Sequence, residues 1–349
     1  MYELKTVRWE DCKEVCETLY HNNIYLTPYQ EYSFLNRIGI GRKETNPFCT
    51  IGFHDKTYIL YKDTIPKAVV PLYINRIKRT ILLRGHYSII GHLDFVYAEN
   101  IDYNDYDYLF TCLAKKYSDY TFILERISEK SLTCKYLAQK KLINDEMRTV
   151  CVSIPIEGGY EEWYQSLKKS FKQDIRSGNN RLKTDGREYG FVLDRFNPPD
   201  DQAKTEMLKL YSKRACEHSG INSKYISSVV QIFLFLTKRN NPFNIALENC
   251  EQYLGGRLYI DNTMVAYCQC LLSNDGRVIV PKLSIDLEYK RYNLGGLLIS
   301  EMIRALCDIS DHTKCTEFDL SRGDERYKYD YGGKNHYNYD INLSLRAIK

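Results

Sequence analysis

The loop Lys290, Arg291, Tyr292, Asn293, Leu294, Gly295 holds the residues best placed to do chemistry in this chain. It joins an apolar run (Val278, Ile279, Val280, then Leu283 and Ile285) to a helix that the apolar spacing starts near Leu294. Such a turn aims free backbone N–H groups, and the positive end of a helix dipole worth about half an elementary charge, at one point in space. That point suits a phosphate. Asn293 is of the non-glycine type that best tolerates left-handed backbone, and Gly295 and Gly296 let a ligand approach the main chain. Glycine-containing turns between strand and helix also serve packing alone, so the loop by itself leaves both roles open. Proton-transfer candidates lie where this strand ends and where the next one turns: Asp286, with Glu288, Asp319 and Asp324 behind it.

Two further segments carry charge in a pattern. Between Tyr164 and Arg187 there are seven basic residues and two acidic ones, which leaves the rest of a chain of net charge +4 near neutral. Trp163, Leu167, Phe171 and Ile175 repeat every four residues as a buried stripe, with Lys168, Lys172 and Arg176 one step round. That face is either solvated or a docking face for an anionic substrate, Lys172 and Arg176 being the contacts. One basic helix among neutral surroundings lacks the footprint that nucleic-acid binding needs. The second segment runs from Arg322 to Gly333, RGDERYKYDYGG. As a strand it would put Tyr327, Tyr329 and Tyr331 on one face; alternatively, Asp324 and Glu325 cap a helical turn bearing Tyr327 and Lys328.

The elements that must hold these residues follow from periodicity and punctuation. Helical patterns cover Trp9 to Tyr20, Pro28 to Ile38, Tyr103 to Lys116, Ser128 to Lys140, Asp201 to His218 and Ser223 to Lys238. Strands are expected at Pro47 to Phe53, Thr57 to Tyr61, Lys67 to Ile77, Arg79 to Gly85, Phe122 to Ile127, Arg148 to Ile154 and Phe191 to Phe196, with a further segment at His92 to Asn100. A later run of strands takes in Asn244 to Glu248, Leu254 to Asp261, Thr263 to Ser273 and Val278 to Asp286. Pro155, Gly158 and Gly159 mark a boundary, giving domains 1–155 and 156–349.

At 349 residues two domains are the natural expectation. Hydrophobic content of 44% and charged content of 27% fit an ordinary globular chain, and no apolar run approaches the roughly 20 residues of a membrane span. The first residues, MYELKTVRWEDCKEVC, are too acidic for a signal peptide, so a cytoplasmic location is expected. The 12 cysteines are dispersed without a CxxC pair, which favours reduced thiols over a disulfide scaffold or a metal site. Neither a GxSxG elbow nor an HExxH motif occurs.

The loop fits a degenerate form of the pyrophosphate loop of GCN5-related N-acetyltransferases (GNATs), Q/R-x-x-G-x-G/A, with Lys290, Asn293 and Gly295 at its three fixed positions. With its flanks EYKRYNLGGLL and FDLSRGDERYKYDYGG, the chain resembles the CelD/BcsL-type acetyltransferases named after cellulose-biosynthesis accessory proteins, and it is similar to Fem-type peptidoglycan transferases. The resemblance implies an α/β (α+β) fold of tandem GNAT-like domains, each a mixed, mostly antiparallel sheet flanked by helices, the first copy divergent. It implies acetyl-CoA or another acyl-CoA as donor, held by Leu283, Ile285 and Lys290 to Gly296, with no metal. It also implies an aromatic-Lys-x-x-aromatic-Gly motif matched by Tyr327, Lys328, Tyr331 and Gly332, with Lys328 meeting an anionic group, Tyr327 donating a proton and Arg322 an added anion contact. The acceptor expected is a small molecule or glycan precursor, an amine on an amino sugar or nucleotide-linked sugar of envelope polysaccharide. An aminoacyl-tRNA-dependent transferase and a catalytically silent binding module are the alternatives.

Overall fold

The structure, a computed structural model, describes residues 1–38, 52–86, 91–197, 199–219, 251–309 and 315–347. The helix expected over Ser223 to Lys238, the strand at Asn244 to Glu248 and most of that at Pro47 to Phe53 lie outside the described residues.

In chain order the elements are β1 (Tyr2–Val7), α1 (Lys13–His21), α2 (Tyr32–Ile38), β2 (Phe53–Lys62), β3 (Ile65–Asn75), β4 (Thr80–Leu83), β5 (Val96–Tyr97), α3 (Tyr103–Lys116), β6 (Thr121–Ser128), α4 (Leu132–Gln139) and β7 (Arg148–Pro155). There follow α5 (Gly159–Ser166), α6 (Lys169–Thr184), β8 (Tyr189–Arg195), α7 (Asp201–Ser219), β9 (Tyr253–Ile260), β10 (Thr263–Leu272), β11 (Arg277–Ile285), α8 (Leu294–Asp308), β12 (Glu317–Arg322), α9 (Arg326–Asp330) and β13 (Lys334–Ser344). Two compact units result: Met1–Cys151 with Ser273–Asp275 and His336–Lys349, and Val152–Leu272 with Gly276–Asn335. The last strand, which the 155/156 division kept with the second half, thus belongs to the first unit from His336 onward, where it pairs antiparallel with β6.

The first unit orders its strands β1-β2-β3-β4-β6-β13, with β5 on β3. The second runs β8-β9-β10-β11-β12-β7. Each is the same pattern: an antiparallel meander, then one parallel pair, β4 with β6 and β11 with β12, each in register over three residues. Both central hairpins close on a two-residue turn with positive φ at both positions, Asp63-Thr64 and Asp261-Asn262. Such turns match the twist of the flanking strands, and aspartate and asparagine tolerate the left-handed backbone.

The second unit's core lies between one sheet face and α8, where Leu254, Leu258, Cys268, Val278, Leu297, Ile299, Met302 and Ile303 are buried. On α8 these follow helical spacing, and on the strands they alternate with outward residues. The basic segment forms two helices, because Lys168 is extended between α5 and α6. Its apolar stripe is nonetheless buried, Trp163, Leu167 and Ile175 fully and Phe171 in part. The tyrosine-rich segment from Arg326 is a helical turn, α9, and not a strand: Tyr331 is buried while Tyr327 and Tyr329 are exposed.

Candidate active site

The strand β11 begins paired on both edges and ends paired on one. Arg277, Val278 and Ile279 lie beside Glu317, Phe318 and Asp319 of β12, and no further pair follows. On the other edge, Gln269 pairs with Lys282 and Leu271 with Ile279, so Val280 and Pro281 oppose the single residue Cys270. A bulge of this kind bends the strand, and proline suits it because it has no N–H to lose. The Ser321 hydroxyl donates to the Val280 carbonyl at 3.0 Å, a last bridge before the two strands part. Beyond it, Pro281 to Ile285 carry a strand edge with no strand partner among the described residues. The gap opens into a cleft of ≈ 740 Å³, lined by β11 from Lys282 to Ile285, by Lys290 and the start of α8, by Tyr211 and Arg214 of α7, and by Glu325, Tyr327 and Tyr331.

At one end of this cleft the turn before α8 is built as an anion cradle. Asn293 adopts φ 53°, ψ 50°, and α8 has neither a side-chain N-cap nor an acidic residue in its first turn. Its first helical bond is Leu297 N–H to the Asn293 carbonyl, which leaves the amides of Leu294, Gly295 and Gly296 pointing out of the helix end. The Asn293 amide Nδ2 is buried without a partner. A buried donor left so costs about 1–3 kcal/mol unless an acceptor arrives, and a phosphate oxygen is such an acceptor. A Cβ at Gly295 would stand 3.3 Å from the Tyr331 hydroxyl, so any side chain there enters the cleft.

The turn is held from behind. Asp185, following α6, accepts from the Tyr292 hydroxyl at 2.6 Å and pairs with Arg291 at 2.8 Å, while Arg181 donates to the Arg291 carbonyl at 2.6 Å. Gly178 lets α6 close on the turn, since a Cβ there would be 2.3 Å from the Tyr292 carbonyl oxygen. Of the nine expected donor-site residues, Leu283, Ile285, Lys290, Asn293, Leu294 and Gly295 line the cleft. Arg291 and Tyr292 turn away to Asp185, and Gly296 packs beneath the Asn293 amide.

The expected catalytic residues separate. Tyr327 lines the cleft, its ring edge-on to Tyr331 at 6.0 Å, and burial with the Glu325 charge raises its phenol above the ordinary value. Lys328 lies beneath, 2% exposed, with its ammonium donating to the carbonyls of Ser321, Arg322 and Gly323 and paired with Glu325 at 3.0 Å. Asp286 caps the turn that follows β11 and takes both of its oxygens to Lys213, at 2.8 and 2.9 Å. Burial works against the Lys213 charge, but Asp286 and Glu288 outweigh it and raise that ammonium's pKa. Lys172 donates to the Gln165 carbonyl at 3.0 Å and Arg176 to the Tyr164 hydroxyl at 3.1 Å. Neither they nor Arg322 are part of the cleft lining.

Sequence reasoning did not single out Tyr211, Arg214 and Lys282 for this site, named Tyr331 only as part of the aromatic motif, and read Glu325 as a cap. Glu325 is the carboxylate that lines the cleft. Burial pushes its pKa up, yet its own backbone N–H and the Lys328 ammonium hold it below the ordinary range. Tyr331 is pushed well up by burial and by its neighbours Tyr327 and Asp330. Lys282 did leave a signal, as a charge within an apolar strand.

Comparison with known proteins bears on this geometry. Residues 169–329 match the family profile described as Acetyltransferase (GNAT) domain. The matched span runs from the start of α6 into α9, so it contains the cradle and both sides of the strand gap. The chain carries a GNAT-type acyltransferase fold. FemX is similar over 98% of both chains at 10% identity, with a TM-score of 0.57. A conserved protein of unknown function from Bacteroides thetaiotaomicron is similar over 98% of this chain and 100% of its own, at 12% identity and a TM-score of 0.52. The L-PGS of Bacillus licheniformis matches 96% of this chain and 91% of its own, at 10% identity and a TM-score of 0.51. At such identities the likeness is one of fold. No curated protein matches the sequence. Among the described residues there is no metal-binding cluster and no helix long and apolar enough to cross a membrane.

Proposed function

We propose that this chain is an N-acyltransferase that takes an acyl group, acetyl in the first instance, from coenzyme A and passes it to an amine. The observation that carries the reading is the coincidence of the unpaired β11 edge with the uncapped start of α8: a strand edge for an amide-bearing chain ends at a cradle for its phosphates. The orphaned Asn293 amide and the nearby Lys290 fit a pyrophosphate there. Within the superfamily we infer the CelD/BcsL type from the RGDERYK box, and an amino sugar or nucleotide-linked sugar as acceptor by analogy with that family.

Transfer requires a neutral amine, and at pH 7 an alkyl ammonium of pKa ~10.4 costs about 4.6 kcal/mol to deprotonate, against about 2 kcal/mol for ionising a thiol of pKa ~8.5. Glu325, ionised at neutral pH, takes the amine proton directly or through one water. The nitrogen lone pair attacks the thioester carbonyl to form the new C–N bond, the C–S bond breaks, Tyr327 gives the leaving thiolate its proton, and the second proton released by the nitrogen as the amide forms returns to Tyr327. Lys328 acts as a positioning residue, holding the turn from Ser321 to Gly323 and the Glu325 carboxylate in place. Asp286 takes both of its oxygens to Lys213 and does not line the cleft, so Glu325 is the carboxylate placed to meet the amine.

Hydrogen exchange tests the donor site. Acetyl-CoA should slow exchange of the amides of residues 282–285 and 294–296, and leave those of β1 and β2 unchanged. No protection in either segment at saturating acetyl-CoA would remove the reading. Protection by an aminoacyl-tRNA in its place would favour the aminoacyl-transfer alternative.

A further inference from the structure

Asn293 stands at a junction where two roles compete. Its N–H closes the turn after β11 on the Lys290 carbonyl at 3.2 Å, and its own carbonyl takes the first helical bond of α8. With φ 53° and ψ 50° it ends that turn as a left-handed C-cap, a place usually taken by glycine and sometimes by asparagine. Asparagine is also among the best N-caps, but in that role its backbone is extended and its side-chain oxygen accepts from the second or third amide of the helix. In α8 those amides belong to Gly295 and Gly296, and no side chain caps them. The Asn293 side chain nonetheless lies within reach, since a Cβ at Gly296 would stand 2.4 Å from its Nδ2 and 3.0 Å from its Oδ1. A change of backbone at this one residue would turn the helix start from an anion cradle into a self-capped end.

Resting on the acyltransferase reading above, we propose that Asp185 is a positioning residue for the donor: it keeps Asn293 left-handed and so holds the α8 amides open for the phosphates. The two soft dihedrals of a residue are set when the chain is fixed on both sides of it. After Asn293, α8 is anchored by its own buried residues, Leu294, Leu297 and Leu298 among them. Before it, Tyr292 is the buried residue of the turn, and the hold comes from α6 and the residue that follows it. Asp185 accepts from the Tyr292 hydroxyl at 2.6 Å and pairs with the Arg291 guanidinium at 2.8 Å. Arg181 donates to the Arg291 carbonyl, and Gly178 admits the Tyr292 carbonyl against the α6 backbone. Arg291 thus turns its charge to the hold and not to the cleft. Without Asp185 the turn swings, Asn293 takes extended backbone, and its own oxygen occupies the amides that the phosphates need. Apparent affinity falls with the fraction of molecules left open, about tenfold where about nine in ten cap themselves.

The test uses the whole chain and two readings: hydrogen exchange of the Gly295 and Gly296 amides without ligand, and acetyl-CoA affinity by calorimetry. In the unaltered chain both amides should exchange as open N–H groups. Asp185→Ala should slow them at least about fivefold, as a new cap does, and weaken acetyl-CoA binding about tenfold. Tyr292→Phe keeps the packed ring and loses the hydroxyl that Asp185 accepts from, and it should move both readings the same way by a smaller factor should Asp185→Ala fail to fold. Asn293→Gly supplies the rescue, because glycine takes the left-handed backbone and has no side chain to cap with. Whatever that substitution costs by itself, in its background Asp185→Ala should change exchange and affinity by no more than about twofold. A contact that only stabilises the fold would speed exchange when lost and would cost the same affinity in both backgrounds. Unchanged or faster exchange in folded Asp185→Ala or Tyr292→Phe protein, or an equal loss of affinity with and without Asn293→Gly, overturns the proposal. Failure of the unaltered chain to bind acetyl-CoA overturns the donor reading instead, and the exchange comparison still decides whether Asp185 holds the helix end open.

Discussion

Tyr327 and Glu325 are set apart from the other polar residues of the RGDERYK segment by environment, since both line the cleft while Lys328 lies buried under it. Removing a proton donor from a transfer step costs about 10²-fold or more in rate. Tyr327→Phe should therefore lower single-turnover acetyl transfer by about that factor without changing acetyl-CoA affinity, and a rate within threefold of the unaltered protein would return the tyrosine to a packing role. A second residue-scale prediction concerns stability. Asp94 is buried in the first unit, accepting from Thr133 at 2.6 Å, and burial raises its carboxyl to about 6. Its unfolded value is ~3.9, so the folded state holds the proton more tightly. The resulting stability is complete below about pH 4 and is lost as pH rises through about 6, a change of about 3 kcal/mol. Urea unfolding from pH 4 to 7 should show a steeper loss for the unaltered chain than for Asp94→Asn. Parallel curves would contradict it.

Among the elements, β11, its loop and α8 were legible in the sequence because their signals are local: β-branched residues, an asparagine that accepts a left-handed backbone, and apolar spacing on the helix. The tyrosine-rich segment was not settled, because alternate tyrosines read as a strand until tertiary contacts choose. Lys328 reaching back to three carbonyls closes α9 as a helical turn. The charge of the basic segment was plain, but its use was not. Arg181 of α6 and the following Asp185 serve the loop, a pairing across more than a hundred residues that no local pattern reveals. Gly178 separates the two kinds of information. Helix propensity alone says that Gly178→Ala should stabilise α6 by about 0.5–1 kcal/mol. The 2.3 Å approach to the Tyr292 carbonyl says that it should push α6 off the turn. We expect lower thermal stability and at least about tenfold weaker acetyl-CoA binding, read by thermal denaturation and calorimetry. A more stable protein with unchanged affinity would show that the contact does not matter.

Over the whole molecule, the two units share a strand order and a hairpin turn but differ at the helix that follows the first strand of the parallel pair. In the second unit α8 starts uncapped. In the first, α3 starts with a capping box in which Asp102 and Asp105 each accept from the other's backbone N–H, so the amides are occupied and two carboxylates stand where a phosphate would lie. Repetition of fold is thus not repetition of site: on the proposed reading the first unit's helix end would repel the ligand that the second attracts, and one donor molecule per chain is the expected consequence. Titration calorimetry of the full chain with acetyl-CoA measures this together with the central claim. The account predicts saturable binding at one molecule per chain, and its loss in Gly295→Val with folding intact by circular dichroism, because the side chain would fill the cradle beside Tyr331. No binding by the unaltered chain, two molecules per chain, or unchanged affinity in a folded Gly295→Val protein would contradict it.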